Sequence, residues 1–343
     1  MPEHDLVIVG GGPGGAAAAI TAASRGLAVV LCEREEIFQE RPGETLHPGL
    51  VPLLGQLGLT ERLAPLIHAR HAGIWVEWGG KRGFTEFGGD GRGPWEGFHV
   101  RRADFDTLLL ARAREAGVEV RRSSAVTGVL ADIGAAGGGA VRGVLTDRGP
   151  LAARLVVDAS GRARWLARAL GIASPPRSPR FIARYGYAEG SCPARDAAPL
   201  LRGDPTGWTW TARVWERTYQ WTRLSFDARP ERDWLPEEFR GLAPLTRSRG
   251  ADVTWRIAER TSGPGWFMVG DAAAALDPTS AHGVLKAIMS GIAAGDLAAG
   301  VLAGRLPAEA SAAAYHEWLE GWFVQDRAEL TRHYRRLRPS LFA

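Results

Sequence analysis

Residues able to do chemistry fall into three groups along this chain. Gly10, Gly12 and Gly15 stand in G-x-G-x-x-G spacing, with Pro13 and Gly14 between them. The first glycine permits a tight turn, the second lets backbone approach a pyrophosphate, and the third lets helix and strand pack closely. Glu33 and Arg34 follow at the spacing of an acid that binds a ribose hydroxyl. Far downstream comes a second group: Gly270-Asp271-Ala272-Ala273, then Asp277-Pro278, then His282-Gly283-Val284. The third group is scattered. His71 reads either as a base or oxygen-directing donor, or as a plain loop histidine. His282 adjoins a glycine that opens a helix. Trp208 and Trp210 share one face of a strand and would either stack on an aromatic substrate or fill a core.

These residues need elements to position them. Residues 5–9 are apolar and β-branched, as a buried parallel strand should be, and Ala16–Ala23 continue as a small-residue helix. The N-terminus of that helix offers free N–H groups and a positive dipole end to phosphate. A second strand is expected at 27–31 and a helix at Phe105–Ala116. Residues 123–157 read as a meander: Val126–Ala131, the turn IGAAGGGA, Val141–Leu145, the turn DRGP, then Leu151–Val157. Asp158–Gly161 closes it before a helical stretch at 162–170. From 171 to 256 aromatic and polar residues alternate, which predicts an antiparallel sheet with one buried face. Helices return at 284–304 and 308–336. The expected organisation is a discontinuous cofactor domain (1–70, 98–170 and 257–305), a substrate-side sheet from 71–97 and 171–256, and a C-terminal helical segment, 306–343. A lone glycine fingerprint indicates only a dinucleotide. Joined to Gly270-Asp271 after the apolar run Phe267-Met268-Val269, it indicates a flavin.

Composition limits the alternatives. The chain has 343 residues, 45% of them hydrophobic, enough for two domains or one large composite. Its net charge of +4 comes mainly from dispersed arginines, and Lys81 and Lys286 are the only lysines. No basic block reads as a nucleic-acid patch; the densest cluster, Arg332 to Arg338, reads as a solvated helix face. Two cysteines, Cys32 and Cys192, imply no disulfide framework and a reducing, cytoplasmic setting. The first strand starts at once, so no signal peptide is expected, and no uninterrupted apolar run reaches membrane-spanning length. No Cys/His cluster has metal-ligand spacing, so no metal is expected. No G-x-S-x-G elbow is present for hydrolase chemistry.

The order of motifs resembles the glutathione-reductase-type flavoproteins of the aromatic hydroxylase fold, over nearly the whole chain. The resemblance implies an α/β fold: an FAD-binding Rossmann domain with an inserted antiparallel substrate sheet. In that family the counterpart of Arg102, within Arg102-Ala103-Asp104-Phe105-Asp106, contacts the flavin's polar chain. The counterpart of Asp271 binds the ribityl hydroxyls, and Pro278 with Gly283-Val284 resembles the loop and helix start beneath the isoalloxazine. Val126 falls among the expected cofactor contacts. Glu44 and Thr45, in Gly43-Glu44-Thr45-Leu46-His47-Pro48, resemble the strap of flavin-dependent halogenases. Gly207-Trp208-Thr209-Trp210 resembles the start of the halogenases' W-x-W-x-x-P motif, but Arg213 stands at its proline. His71 stands where the halogenase lysine is expected and Ser280 where tryptophan halogenases carry an acid, so halogenation is not the expected reaction.

The nearer resemblance is to flavoprotein maturases of lysine ε-oxidase and glycine oxidase (LodB/GoxB-like). It rests on DVTWR at 252–256 and GDAAAALDPTSAHGVLKAIMSG at 270–291. It implies an FAD-dependent monooxygenase that hydroxylates an aromatic ring through a C4a-hydroperoxide. The implied substrate is a tryptophan in a precursor of a cysteine tryptophylquinone protein, with a free small aromatic as the other possibility. Molecular oxygen is then a co-substrate. One glycine fingerprint encodes no second dinucleotide domain, so electrons come from transient NAD(P)H binding or from a separate flavin reductase. A geranylgeranyl-reductase-type enzyme, a halogenase and a non-catalytic flavin-bound maturation chaperone remain as alternatives.

Overall fold

Five strands build a parallel sheet in the order Glu119–Arg121, Val29–Cys32, His4–Val9, Gly149–Asp158, Trp266–Met268. The computed structural model describes residues 4–132, 139–227, 234–280 and 282–342, so most of the IGAAGGGA turn lies outside the described residues. Leu6, Val7, Ile8, Val30, Leu31, Val156 and Val157 are fully buried, which explains why these strands read as unbroken apolar runs. Register pairs Leu6 with Leu155 and Val9 with Asp158, and Val9 with Cys32. The strands therefore end level with one another. Gly10, Glu33, Ala159 and Val269 all emerge at the same carboxyl edge, where open α/β sheets bind ligands. The long strand Gly149–Asp158 also pairs antiparallel with Val141–Thr146, which pairs with Val126–Ala131, completing the meander.

Two helices converge on that edge. Pro13–Ser24 and Gly283–Leu302 pack with almost no side chain between them. A Cβ on Gly291 would sit 2.2 Å from the carbonyl oxygen of Gly14, and one on Gly295 would sit 2.8 Å from that of Ala18. Only glycine permits this approach, and it fixes the start of the second helix relative to the glycine fingerprint. Gly283–Leu302 is long and apolar enough to cross a membrane by length and composition, although Lys286 and Asp296 interrupt it. Its seat against Pro13–Ser24 accounts for that apolarity.

A second sheet runs Ile182–Glu189, Thr218–Ser225, Gly207–Trp215, Leu200–Asp204, Gly73–Trp78, Lys81–Glu86. It is antiparallel except at one place: Leu200–Asp204 lies parallel to Gly73–Trp78, because the two strands come from different chain segments. Smaller differences from the sequence expectation have local causes. The helix expected from Phe105 begins at Arg102, whose side chain pairs with Asp106 one turn on. The stretch 162–170 is split by Arg164 in the left-handed region (φ 48°) into the turn Gly161–Ala163 and the helix Trp165–Ala169. Asp158 and Ser160 cap that helix through the N–H groups of Leu166 and Trp165. The second strand starts at Val29 rather than 27, after the turn at Gly26 (φ 88°). The C-terminal helix, Ala308–Leu337, lies across both parts of the fold.

Candidate functional site

The phosphate end is built first. Gly10 adopts φ 104°, and a Cβ on Gly15 would fall 2.0 Å from the carbonyl oxygen of Gly10, so turn and helix demand glycine at both positions. Gly12 occupies the N-cap, Pro13 begins the helix, and no side chain caps it. Its leading N–H groups remain available to an anion. A Cβ on Gly12 would meet only Arg41, at 3.9 Å, so the approach to this helix end is open. Glu33 is buried and accepts the N–H of Gly11 (2.6 Å) and of Glu35 (2.9 Å), which locks its carboxylate beside the turn.

Arginines line the next part. Arg102 binds both oxygens of fully buried Asp106 (3.1 Å each) and donates to the carbonyl of Pro42. Arg41 also pairs with Asp106, and its Nε has no hydrogen-bond partner. A Cβ on Gly43 (φ 111°) would meet Arg102 at 2.4 Å, so this strap glycine is what admits the guanidinium. Glu44, 2% exposed, accepts a hydrogen bond from Tyr187 of the second sheet. Burial pushes its carboxyl up to about 7, against the opposing effects of Tyr187 and Arg102.

Asp271 sits in a single turn, Gly270–Ala272, held against the helix Gly283–Leu302 by the Gly270 N–H to Ser290 (2.9 Å). Its carboxylate is half-exposed and pairs with Arg162 (3.0 Å). Asp277 is buried and receives Trp255 Nε1 (2.6 Å) and the Tyr334 hydroxyl (2.7 Å), while Trp208 Nε1 donates to the Tyr334 oxygen (2.6 Å). Through this chain of bonds the second sheet and the C-terminal helix fix the loop that carries Pro278. Pro278 and Gly283 are exposed, and a Cβ on Gly283 would meet nothing within 4 Å. The helix beginning at Gly283 has no side-chain cap. Two uncapped helix N-termini, open space at Gly12 and Gly283, a locked acid at Glu33 and a partnerless Arg41 Nε together fit a dinucleotide with a planar ring at its far end.

Beside Gly283 lies a row of aromatic rings. His282 contacts His47 (centroids 5.0 Å), His47 contacts Phe87 (5.1 Å), Phe87 contacts His71 (5.5 Å), and His71 contacts His99 (4.8 Å). The structure thus brings together His71 and His282, which are far apart in sequence. His71 ends the short strand Ala69–His71, 3% exposed, and is no loop histidine. Its Nδ1 lies 3.0 Å from the carbonyl oxygen of Gly73, so Nδ1 carries the proton and Nε2 presents a lone pair. That buried Nε2 has no partner. His47 takes the other tautomer: its Nδ1 accepts the Gly49 N–H (3.0 Å), leaving Nε2–H as donor. Burial lowers His71 and His282 to about 4 and depresses His47 and His99 as well, so all four are neutral at pH 7.

Other predicted site residues land differently. Trp208 is fully buried in the core and bonded to Tyr334, so it offers no platform to a substrate. Trp210 is half-buried between two core clusters, and Arg34 is exposed. Thr45 lies 3.1 Å from His99 Nδ1, and Val126 packs against the main core. Val284 meets the strap at Gly43. Sequence reasoning missed Arg41, His47, His99 and the Asp277–Tyr334 pair. Arg41 just precedes the strap motif and His47 lies within it, which was their available signal; the others depend on contacts between distant segments. Among the described residues no His/Cys/Asp/Glu group could hold a metal ion.

Residues 3–185 match the family model described as FAD binding domain. The chain is 26% identical to a tryptophan 2-halogenase of Chondromyces crocatus, over 93% of this chain and 66% of that protein. It is 27% identical to a 1H-pyrrole-2-carbonyl-[peptidyl-carrier protein] brominase of Pseudoalteromonas luteoviolacea, over 97% of this chain and 86% of that protein. A solved flavin-dependent brominase superposes with a TM-score of 0.84 at 25% identity, covering 99% of this chain and 88% of that one. These relatives favour the halogenase alternative over the maturase-like reading.

Proposed function

From a chain that belongs to the FAD binding domain family and is an FAD-dependent oxidoreductase, we propose an enzyme of the halogenase branch that attacks an electron-rich aromatic ring of the indole or pyrrole kind. Halogenation is the first reading, supported by relatives whose names specify tryptophan and carrier-bound pyrrole. Reduced FAD, when bound, supplies the activation of dioxygen. The chain does the rest. The N–H groups after Gly12 hold the pyrophosphate, aided by Arg41, and Glu33 takes a ribose hydroxyl. Arg102 and Asp271 orient the chain between phosphate and ring. The N-terminus at Gly283 would direct positive dipole toward a bound flavin ring, and the strap at Gly43–Pro48 would help keep water from it.

His71 carries the proposal. Its buried Nε2 lone pair, set by the Nδ1 bond to Gly73, is a partnerless acceptor in the histidine row. Neutral and shielded by Phe87 and His99, His71 has no proton to donate from Nε2. A lysine ammonium at this position would donate instead. That inversion favours a second reading, hydroxylation of the ring, and a tryptophan side chain in a precursor protein remains its proposed substrate. Electrons would come from NAD(P)H directly or through a separate flavin reductase. The test is to supply FAD-loaded protein with reduced flavin, oxygen and a panel of indoles and pyrroles, with and without chloride or bromide. A halide-dependent halogen on the product supports the first reading. One added oxygen without halide supports the second. Neither product from flavin-loaded, reduced protein overturns both.

A further inference from the structure

The last two long helices leave a space between them. Gly283–Leu302 and Ala308–Leu337 line a half-open cavity of about 300 Å³. Leu285 and Met289 project into it from the first helix, and Trp318 and Trp322 from the second, each pair four residues apart on one face. Met289 and Trp318 stay 37% and 39% exposed, so the cavity is walled by apolar surface left unfilled by the chain itself. The charged side chains in the wall, Lys286 and Asp326, are paired with each other, and the Lys286 ammonium lies 4.2 Å from the Trp322 ring centroid. The wall therefore presents π faces, a thioether and no net charge. His282 closes one end and also touches His47 of the strap, so a molecule seated here lies beside the start of the Gly283 helix.

We propose that this cavity is the seat of an uncharged aromatic ring of about indole size, delivered on an amide-linked chain rather than as a free amino acid; the inference rests on the aromatic-oxidation reading and narrows its substrate class. The volume is at the lower end for ligand sites, enough for one bicyclic ring. Aromatic walls and Met289 sulfur favour stacking and edge contacts with a ring. The ammonium and carboxylate of a free amino acid would have to compete with the Lys286–Asp326 pair, and an unmatched charge in an apolar site is costly.

Calorimetric titration of the FAD-loaded protein at pH 7 tests this without turnover. N-acetyltryptophanamide should bind about tenfold or more tightly than tryptophan or indole-3-acetate. Met289→Trp fills the cavity from an exposed position and should weaken binding by about tenfold or more, with circular dichroism and flavin absorbance unchanged. Asp326→Asn frees the Lys286 charge and should raise affinity for indole-3-acetate by about tenfold. Equal binding of charged and neutral probes, or unchanged binding in Met289→Trp, overturns the proposal. The two readings fail separately. Binding lost in Met289→Trp while no ring is ever oxidised leaves the seat and refutes the reaction. Ring oxidation that proceeds unchanged in Met289→Trp leaves the reaction and refutes the seat.

Discussion

The neutral, acceptor state of His71 can be tested through stability, independently of any substrate. Burial lowers this imidazole from its ordinary value of 6.5 to about 4, with His47 adding to the effect and the Gly73 carbonyl opposing it. The unfolded chain therefore takes up a proton near pH 6.5 that the folded chain refuses until near pH 4. Between those values the unfolded state binds more protons, so stability rises with pH across the window and is lost as pH falls through it. The ceiling is about 3 kcal/mol, from roughly 1.4 kcal/mol per pH unit. At pH 5 most of one proton has been taken up by the unfolded chain, and the loss is about 2 kcal/mol. His71→Asn keeps an amide N–H to meet the Gly73 carbonyl and removes the titration. Urea unfolding of both proteins at pH 7 and pH 5 gives the comparison. Wild type should lose about 2 kcal/mol more than the variant between those pH values. His47, His99 and His282 shift in the same direction, but they remain in both proteins, so their contribution largely cancels. Equal losses in the two proteins would show that His71 titrates normally, and the fixed lone pair would fall with that result.

Three other outcomes are expected. Glu44→Gln should act with the opposite sign: its carboxyl is raised from 4.5 to about 7, so wild-type stability falls as pH rises through that window. The variant should escape a loss of up to about 3 kcal/mol by pH 8, read from unfolding midpoints at pH 5 and 8. Tyr334→Phe strips partners from both Trp208 and Asp277 and should cost about 1–3 kcal/mol in denaturant unfolding; a neutral result would mean the network does not fix the Pro278 loop. Arg41→Ala should weaken FAD binding about tenfold or more while the affinity for riboflavin, which lacks the pyrophosphate, stays unchanged; equal effects on both would place Arg41 away from the phosphates.

What the sequence disclosed divides along physical lines. The parallel strands and the glycine turn were legible because a buried strand is an unbroken apolar run and the turn demands glycine at fixed spacing, as at Gly10 and Gly15. The placing of Asp271 just after a strand was legible for the same reason. Trp208 misled: period-two spacing placed it on a sheet face, but which face is buried depends on the C-terminal helix and Tyr334, more than a hundred residues away. His71 and His282 were each visible alone. Their assembly through His47 and Phe87 depends on the strap crossing the helix start, which no local pattern encodes. Only the contact with Gly14 and Ala18 shows why Gly291 and Gly295 must be glycine. The reaction itself was least legible, because His71 and Ser280 depart from the halogenase pattern while the chain as a whole aligns with halogenases.

A single turnover on labelled dioxygen addresses the proposed aromatic oxidation most directly. FAD-loaded protein, reduced in advance, is mixed with labelled oxygen, bromide and N-acetyltryptophanamide, and the ring product is weighed. A ring that carries bromine, or one labelled oxygen atom, is the expected result. Complete reoxidation of the flavin with only hydrogen peroxide formed and every ring unchanged, across indole and pyrrole substrates alike, would contradict it.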